Sequence, residues 1–436
     1  MKIFSFKNKN SRLQVLEVLF YLFPLIMLMS SGYITFYISI LTIYSLYVFF
    51  YKKIKINFIL LDYLIFLFFI ISIIASLINI KVIGNFIFFK SIFDLRFALF
   101  FFVIRNLINS RFINIKFFFI SSLICSIFLS LNIFSQHIIG FDAFGHKPFD
   151  GRYNGLFESE AIAGSYIQKF FLVSILSILL LKIKKKTKFI LTIIATNILG
   201  LGVLLSLDRM PFIIYLFSII VLIALLKNFR LKFLISLILI IFIFQFSFNN
   251  YQPVKNRYMS LSNEFQLAKI KNIFSFYNKK EELSAKINEN EDYNLSGDYL
   301  KIYVAAYKVF MENFFIGSGV KSFGFECNKL KESNKKNITC STHPHNIYME
   351  ILVNQGIIGI LIFIIFLFSL IKNNYLEELF SKNSSEEKLL IIFFFTILIS
   401  ELLPFRSYGS IFQTVNGSIF WFFLALISSK PFMKKN

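Results

Sequence analysis

One stretch decides the fold: residues 58–80 read FILLDYLIFLFFIISIIASLINI and carry a single charged side chain, Asp62. A run of about 20 apolar residues is long enough to cross the hydrocarbon core of a bilayer as a helix. The rest of the chain continues this pattern, because 57% of its 436 residues are hydrophobic, 61 are Phe and only 16% are charged. A soluble domain carries about 25% charged residues. The composition therefore predicts an all-α polytopic membrane protein and excludes a soluble or disordered chain.

The same criterion, applied outward from residues 58–80, predicts about twelve transmembrane helices. All of them should be helical, because lipid offers no partner to unpaired backbone groups. The predicted spans are 13–32, 33–50, 58–80, 86–107, 113–135, 161–183, 189–206, 210–226, 232–249, 351–372, 389–405 and 408–429.

The distribution of Lys and Arg predicts the orientation of these spans. With the N-terminus in the cytoplasm, the cytoplasmic segments carry 24 basic residues and the short outside loops carry 5. Basic residues collect in cytoplasmic loops, so both termini are predicted to be cytoplasmic. The same bias accounts for the net charge of +22, and no nucleic-acid partner is expected.

Residues 250–350 form one large polar loop between spans nine and ten, and the orientation places it in the periplasm. The chain thus divides into spans one to nine (1–249), this loop (250–350) and spans ten to twelve (351–436). A loop of that length is usually functional or forms a small domain. Apolar residues at helical spacing, from Leu300 to Phe310, predict an amphipathic helix on the membrane surface or over a cavity.

The end of this loop carries the most specific stretch, His343-Pro344-His345-Asn346, followed after nine residues by Gly356-Ile357-Ile358-Gly359. Pro344 fits the first turn of a helix, which would place His345 near a helix N-terminus at the outer membrane surface. A neutral His beside a diphosphate can serve as a general base. Two alternatives remain open at this point: the histidines cap a helix, or His343 and His345 bind a metal ion. Gly356 and Gly359 lie one turn apart and favour close helix packing.

Three arginines lie at predicted outside positions, where basic residues are otherwise rare: Arg209, Arg406 and Arg152. A guanidinium can make two charge-assisted hydrogen bonds to a diphosphate. The alternative for Arg209 is an ion pair with Asp208 or another carboxylate, and Arg152 also fits an exposed loop position.

Other charged residues favour structural roles. Lys90, Asp94 and Arg96 fall within one predicted span, where charges are costly unless they are paired. Lys90 and Asp94 stand four residues apart and are predicted to pair with each other. Glu158 and Glu160 could be read as a glycosidase-type carboxylate pair, a weaker hypothesis because they flank one residue of a surface loop.

Two cysteines, Cys327 and Cys340, lie in the exported loop, whereas Cys125 lies in a span. The periplasm is oxidising, so Cys327 and Cys340 are predicted to form a disulfide directly before His343. Two free thiols are the alternative.

The motif His345-Asn346, nine residues, Gly356-x-x-Gly359 resembles the signature of the O-antigen ligase family, which is homologous with O-antigen polymerases and bacterial protein O-oligosaccharyltransferases. Its members are similar to this chain in having about twelve spans and a large periplasmic loop before the motif. Three further stretches resemble family segments: Arg152-Tyr153-Asn154-Gly155-Leu156-Phe157 with Gly164, Ser206-Leu207-Asp208-Arg209, and Phe315-Ile316-Gly317-Ser318-Gly319 with Phe323. Many members carry an Arg just before the loop helix, where this chain has Ser296-Gly297-Asp298; either Lys301 substitutes for that Arg or the site is not used.

The resemblance implies a C-type glycosyltransferase fold in the bacterial inner membrane, with an active site facing the periplasm. It implies a metal-independent glycosyltransferase of lipopolysaccharide biosynthesis that needs no cofactor. The donor would be a glycan linked to polyprenyl diphosphate, such as undecaprenyl diphosphate, and the acceptor would be lipid A–core. His345 and Arg209 would be catalytic, while Arg152, Arg406, His343 and Asn346 would bind the substrate.

Two other functions remain open. An O-antigen polymerase would use a second lipid-linked repeat as acceptor instead of lipid A–core. A polysaccharide transporter or flippase also suits twelve spans, but transporters of this size usually show two similar halves, which this chain lacks.

The topology is tested with reporter fusions. We expect a fusion at Ser275 to report the periplasm and a fusion at Asn436 to report the cytoplasm, because of the 24-to-5 charge asymmetry. If both fusions report the same side, the predicted orientation is wrong.

Overall fold

The computed structural model describes residues 11–53, 56–158, 160–264, 298–332, 338–372, 375 and 385–429. Regular structure in these ranges is helical, apart from an isolated β-bridge between Phe149 and Arg152. The predicted all-α class is therefore confirmed. Both chain termini, the loop segment 265–297 and the predicted departure at Ser296-Gly297 lie outside the described residues.

The helices follow the predicted apolar runs closely. Those of the first half are α1 Ser11–Tyr21, α2 Phe23–Ile26, α3 Ser31–Tyr51, α4 Leu60–Ile78, α5 Ile80–Phe93, α6 Leu95–Asn109, α7 Ile115–Ile139, α8 Ala163–Leu180 and α9 Lys185–Leu205. Those of the second half are α10 Arg209–Leu225, α11 Arg230–Asn250, α12 Gln252–Glu264, α13 Asp298–Glu312, α14 Phe323–Glu332, α15 Ile347–Ile371, α16 Ser385–Glu401 and α17 Thr414–Ser428.

Seven of the described helices are long and apolar enough to cross a membrane. They are α3, α4, α7, α8, α9, α11 with its preceding turn, and α15. The apolar helices α10 and α17 are shorter. The chain is therefore a polytopic membrane protein, while the number of twelve spans stays a prediction.

Three predicted spans are interrupted or shortened. The run 13–32 divides between α1 and α2, where Pro24 occupies the first turn of α2. The run 86–107 divides at Asp94, between α5 and α6. The run 408–429 becomes helical only at Thr414, because residues 402–411 are largely non-helical and pack against the start of α15.

The predicted ion pair between Lys90 and Asp94 is wrong. Asp94 is fully buried, and neither carboxylate oxygen accepts a hydrogen bond from the described residues. The Asp94 backbone N–H still donates to Lys90 O at 3.0 Å, so the helical spacing is kept although the two side chains form no ion pair. Arg96 instead donates to Thr414 Oγ1 at 3.1 Å and stacks over the Phe93 ring.

A buried ion pair that the sequence did not predict joins α4 to α6. Arg105 Nε lies 2.9 Å from Asp62 Oδ1, and Arg105 Nη2 lies 2.6 Å from Asp62 Oδ2. Arg105 is 2% exposed and Asp62 is fully buried. The two hydrogen bonds from Arg105 pair the Asp62 carboxylate, whose charge would otherwise be costly inside a membrane span.

Helix α15 is broken in its interior at Gly356, which adopts φ 64° and ψ −159°. The break frees backbone groups on both sides, and a distant segment satisfies them. Ile357 N donates to Phe314 O at 2.9 Å, while Ser318 N donates to Val353 O at 2.8 Å. The loop segment 314–319 is thus paired directly with the interior of a span candidate.

The two glycines of the predicted packing motif have different roles. A Cβ at Gly356 would lie 2.4 Å from the Phe315 carbonyl, so Gly356 allows the backbone contact itself. A Cβ at Gly359 would lie 2.2 Å from the Gln355 Cβ, so Gly359 makes room for that side chain. The Gln355 amide then donates to Phe68 O at 3.2 Å and to Ser72 in α4.

Gly356→Ala tests the break in α15. We expect a loss of about 1–3 kcal/mol in stability, because the substitution forces an L side chain into the left-handed region and against the Phe315 backbone. The measurement is the unfolding midpoint of purified protein in detergent. Gly32→Ala in α3 is the control, since no atom lies within 4 Å of a Cβ there; equal midpoints for the two variants would contradict the assignment.

Candidate functional site

His345 lies in the turn just before α15. Its backbone is left-handed, with φ 56°, and the side chain is half-buried. The Nε2 atom lies 3.1 Å from Ser341 Oγ, and the ring centroid lies 4.1 Å from that of His343. His343 Nδ1 in turn lies 3.1 Å from Thr342 Oγ1. The two predicted histidines are therefore brought together in one polar cluster.

Asn346, and not a histidine or Pro344, caps α15. Its side-chain oxygen accepts hydrogen bonds from Tyr348 N at 3.0 Å and Met349 N at 3.2 Å. Pro344 lies outside the helix, so its predicted place in the first helical turn is wrong. The cause is the positive φ of His345, which stops the helix from extending backward. The histidine side chains are consequently free of any capping role.

Residues 402–411, which we call the strap, hold the His345 segment in place. The strap connects α16 to α17 and runs across the start of α15. Four hydrogen bonds join them: Tyr408 N to His345 O (2.8 Å), Asn346 Nδ2 to Pro404 O (2.6 Å), Tyr348 OH to Leu402 O (2.6 Å) and Ile411 N to Glu350 Oε2 (3.1 Å).

Burial keeps both histidines neutral. It lowers the pKa of His345 below its ordinary value of 6.5. It also lowers the pKa of His343 to about 4, with further contributions from the neighbouring charges of His345 and Lys321. Lys321 itself has its pKa lowered to about 8, by burial first and then by Lys90. At neutral pH, His345 can therefore accept a proton.

A second polar cluster surrounds the turn between α9 and α10. Asp208 Oδ1 lies 3.6 Å from Arg152 Nη1, and Asp208 Oδ2 accepts from Gly164 N at 3.1 Å. Burial raises the pKa of Asp208 to about 6, which the charge of Arg152 opposes. Asp208 thus forms an ion pair with Arg152. The sequence had suggested Asp208 or another carboxylate as a partner for Arg209.

Arg209 begins α10 and is half-buried. Its charge and that of Arg257 act on the buried hydroxyl of Tyr258, whose pKa is raised first by burial and then by Asp208. Arg257 Nε also donates to Leu207 O at 3.3 Å. Arg152 therefore pairs with the buried carboxylate, and the charges of Arg209 and Arg257 act on the neighbouring Tyr258 hydroxyl.

Arg406 is 4% exposed, and its charge is compensated within the protein. Its Nη1 lies 2.9 Å from Glu401 Oε1 and 2.8 Å from Ser400 O, while Nη2 donates to Gln168 Oε1 at 2.9 Å. These contacts hold the strap to α8 and α16. A direct contact between Arg406 and a diphosphate stays a prediction.

The described residues after position 297 of the large polar loop form a small helical unit on α15. Helices α13 and α14 share a core that includes Ile302, Val309 and Leu330, and this core packs against Val353 of α15. The buried face of α13 is centred on Ile302, Ala305 and Val309. Val309 and Phe310 of the predicted amphipathic run are buried, whereas Tyr307 is exposed. A disulfide joins Cys327 to Cys340, directly before the His343 turn.

Glu158, one member of the suggested carboxylate pair, contacts a histidine. Its Oε1 lies 3.0 Å from His146 Nε2, and His146 Nδ1 lies 3.0 Å from Asp142 Oδ2. This arrangement fastens the loop that carries Arg152, and it does not favour glycosidase chemistry.

Several polar residues of these clusters escaped the sequence analysis. Glu350 stands at the end of the quoted motif and could have been noticed as an acid at the start of a span. Lys169 could also have been noticed, because it is a lone cation within an apolar run and charges are costly inside a membrane span. Lys321 and Arg257 lie in a long loop rich in basic residues, where the sequence offers no means of singling them out.

Comparison with known proteins agrees with the quoted motifs. The family model described as O-antigen ligase matches residues 194–364. This region contains Arg209, the described loop helices, His345, Gly356 and Gly359, whereas Arg152 and Arg406 lie outside it. No curated protein matches the chain.

The disulfide is tested by alkylating the unreduced protein. We expect mass spectrometry to find Cys327 and Cys340 unmodified, and Cys327→Ser to lower stability, since closing a loop of this size contributes about 3 kcal/mol in the chain-entropy model. Reduced protein is the control, in which both thiols become available. Alkylation of both before reduction would show that the bond is absent.

Proposed function

We propose that this member of the O-antigen ligase family is an O-antigen ligase, which transfers a glycan from polyprenyl diphosphate to lipid A–core at the periplasmic face of the inner membrane. Membership of the family makes the chain a glycosyltransferase-like membrane enzyme. The proposed glycosyl transfer rests on one observation: His345 is held at the start of α15 by the strap, half-buried, with its pKa lowered below 6.5. The choice of lipid A–core as acceptor follows the description of the matching family model, O-antigen ligase.

His345 is proposed as the general base. Its neutral imidazole takes the proton of the acceptor hydroxyl as that oxygen bonds to the anomeric carbon of the donor sugar. The bond from the anomeric carbon to the diphosphate oxygen breaks at the same time, and the diphosphate leaves with the electron pair. The contact of Ser341 Oγ with Nε2 at 3.1 Å fixes the orientation of the ring.

Arg209 is proposed to stabilise the leaving diphosphate, assisted by Arg152. The position of Arg209 next to the Asp208–Arg152 pair supports this role, because a guanidinium can bind two phosphate oxygens at once. Charge stabilisation of this kind is what a metal ion supplies in other enzymes, and we propose that the arginines supply it here. His343 and Asn346 are proposed to line the substrate site.

Deletion of the gene, followed by electrophoresis of the lipopolysaccharide, tests the function. Loss of a ligase leaves bare core while long lipid-linked glycan accumulates. Core carrying a single repeat would instead identify a polymerase, and an unchanged profile would exclude both activities. Purified protein should also transfer glycan in the presence of a chelator; inhibition by chelator that one divalent ion reverses would contradict metal independence.

His345→Ala and Arg209→Ala are expected to lower transfer about 10²–10⁴-fold, the usual cost of losing a general base or a key charged group. Arg209→Lys should also be impaired, because a point charge cannot bind two oxygens side by side. The measurement is transfer rate per amount of inserted protein. Arg230→Ala is the matched control, since Arg230 is exposed and its Nε donates only to Ile223 O among the bonds described for it.

The base assignment also predicts a pH dependence. Neutral His345 is the active form and burial lowers its pKa, so activity should persist below pH 6.5 and fall only as the pH passes through that lowered value. The measurement is kcat/KM for transfer between pH 4.5 and 8. An acidic midpoint at or above pH 6.5 would be inconsistent with a buried, neutral base.

A further inference from the structure

The hydroxyl of Ser341 contacts a ring nitrogen of the proposed base. Ser341 Oγ lies 3.1 Å from His345 Nε2, and both residues are half-buried. A neutral imidazole has one nitrogen that accepts a hydrogen bond and one that donates. If His345 takes a proton at Nε2, this nitrogen is unprotonated beforehand and the Ser341 hydroxyl donates to it. A hydroxyl of the protein itself then stands where the hydroxyl of the acceptor has to bind.

Ser341 and His345 are held by different parts of the protein. Ser341 follows Cys340, which a disulfide joins to α14. Its backbone also packs on α14, where a Cβ at Gly324 would lie 3.4 Å from Ser341 O. His345 is held instead by the strap, through the hydrogen bond from Tyr408 N to its carbonyl. Rotation of the Ser341 side chain about its Cα–Cβ bond can therefore break the contact with Nε2 without moving the imidazole.

Water competes with the acceptor for the same nitrogen. An imidazole that takes a proton from a sugar hydroxyl can also take one from water, and the donor is then hydrolysed. In that reaction the water oxygen bonds to the anomeric carbon, and His345 takes one proton of the water. The bond from the anomeric carbon to the diphosphate oxygen breaks, and the diphosphate leaves with the electron pair. Exclusion of water from the base prevents this loss of donor.

We propose that Ser341 determines the specificity for transfer over hydrolysis: its hydroxyl occupies His345 Nε2 and excludes water until an acceptor hydroxyl replaces it. Water brings only its own hydrogen bonds to the exchange. An acceptor also brings the binding energy of its remaining groups, which can displace the Ser341 hydroxyl. The inference rests on the proposed function, because it requires His345 as the base. It holds equally for lipid A–core and for a second lipid-linked repeat as acceptor.

Hydrolysis of the donor by the purified full-length chain tests this inference. The donor is lipid-linked glycan extracted from a strain that lacks the gene, and the released polyprenyl diphosphate is measured without any acceptor. We expect Ser341→Ala to raise the rate of hydrolysis about threefold to tenfold, which corresponds to the loss of one hydrogen bond. Ser341→Thr keeps a hydroxyl and should retain the low rate of the wild type.

Transfer is measured in parallel, with lipid A–core and with a second lipid-linked repeat as acceptors. We expect Ser341→Ala to keep the kcat for transfer, because the Ser341 contact is already broken when the acceptor is bound. If Ser341 only orients the ring, the substitution lowers hydrolysis and transfer together. That result, or an unchanged rate of hydrolysis, overturns the inference.

Two further variants serve as controls. Ser39→Ala is the matched control, because Ser39 is also half-buried and its hydroxyl donates to Thr35 O at 3.0 Å within α3. It should hydrolyse the donor as slowly as wild type does. The double variant Ser341→Ala with His345→Ala should lose the additional hydrolysis, and hydrolysis that survives there overturns the inference. Failure of the proposed function gives a different result, since wild-type protein would then transfer glycan to neither acceptor.

Discussion

The break in α15 at Gly356 is the constraint on which the rest of the structure depends. In a span, lipid cannot satisfy the amides and carbonyls that such a break exposes. The segment 314–319 supplies the missing partners, with Ile357 N on Phe314 O and Ser318 N on Val353 O. The large polar loop is consequently joined to a membrane-span candidate by backbone hydrogen bonds. This junction sets the position of the helical unit that precedes His345.

The strap has the corresponding role on the other side of the turn. The strap forms hydrogen bonds with the His345 carbonyl and the Asn346 side-chain amide. Its Arg406 also pairs with Glu401 and donates a hydrogen bond to Gln168. The left-handed backbone of His345 is thereby held from both directions. Residues with unusual backbone angles persist where the surroundings fix them, and such residues cluster at functional sites.

The sequence was sufficient for the helical class and for the position of nearly every helix, because apolar runs of about 20 residues have few alternatives in a membrane. It was insufficient where distant backbone segments decide the geometry. The break at Gly356 depends on backbone partners that lie far away in the chain. The His345 motif was found through its resemblance to a family, whereas the burial of Arg406 follows from Glu401, a neighbour whose pairing the apolar pattern does not reveal. Lys169 did carry a signal, a charge within an apolar run.

The place of the strap in the chain has a consequence for biogenesis. The strap is synthesised after α15 and α16, and its first residue, Leu402, follows His345 by 57 positions in the chain. The hydrogen bonds to His345 and Asn346 can form only after the strap has been synthesised, when the helices from α3 to α15 have already been made. A nascent chain thus carries an unfinished His345 turn from the synthesis of His345 until that of Tyr408. The site is completed by a segment that is made after α15 and α16.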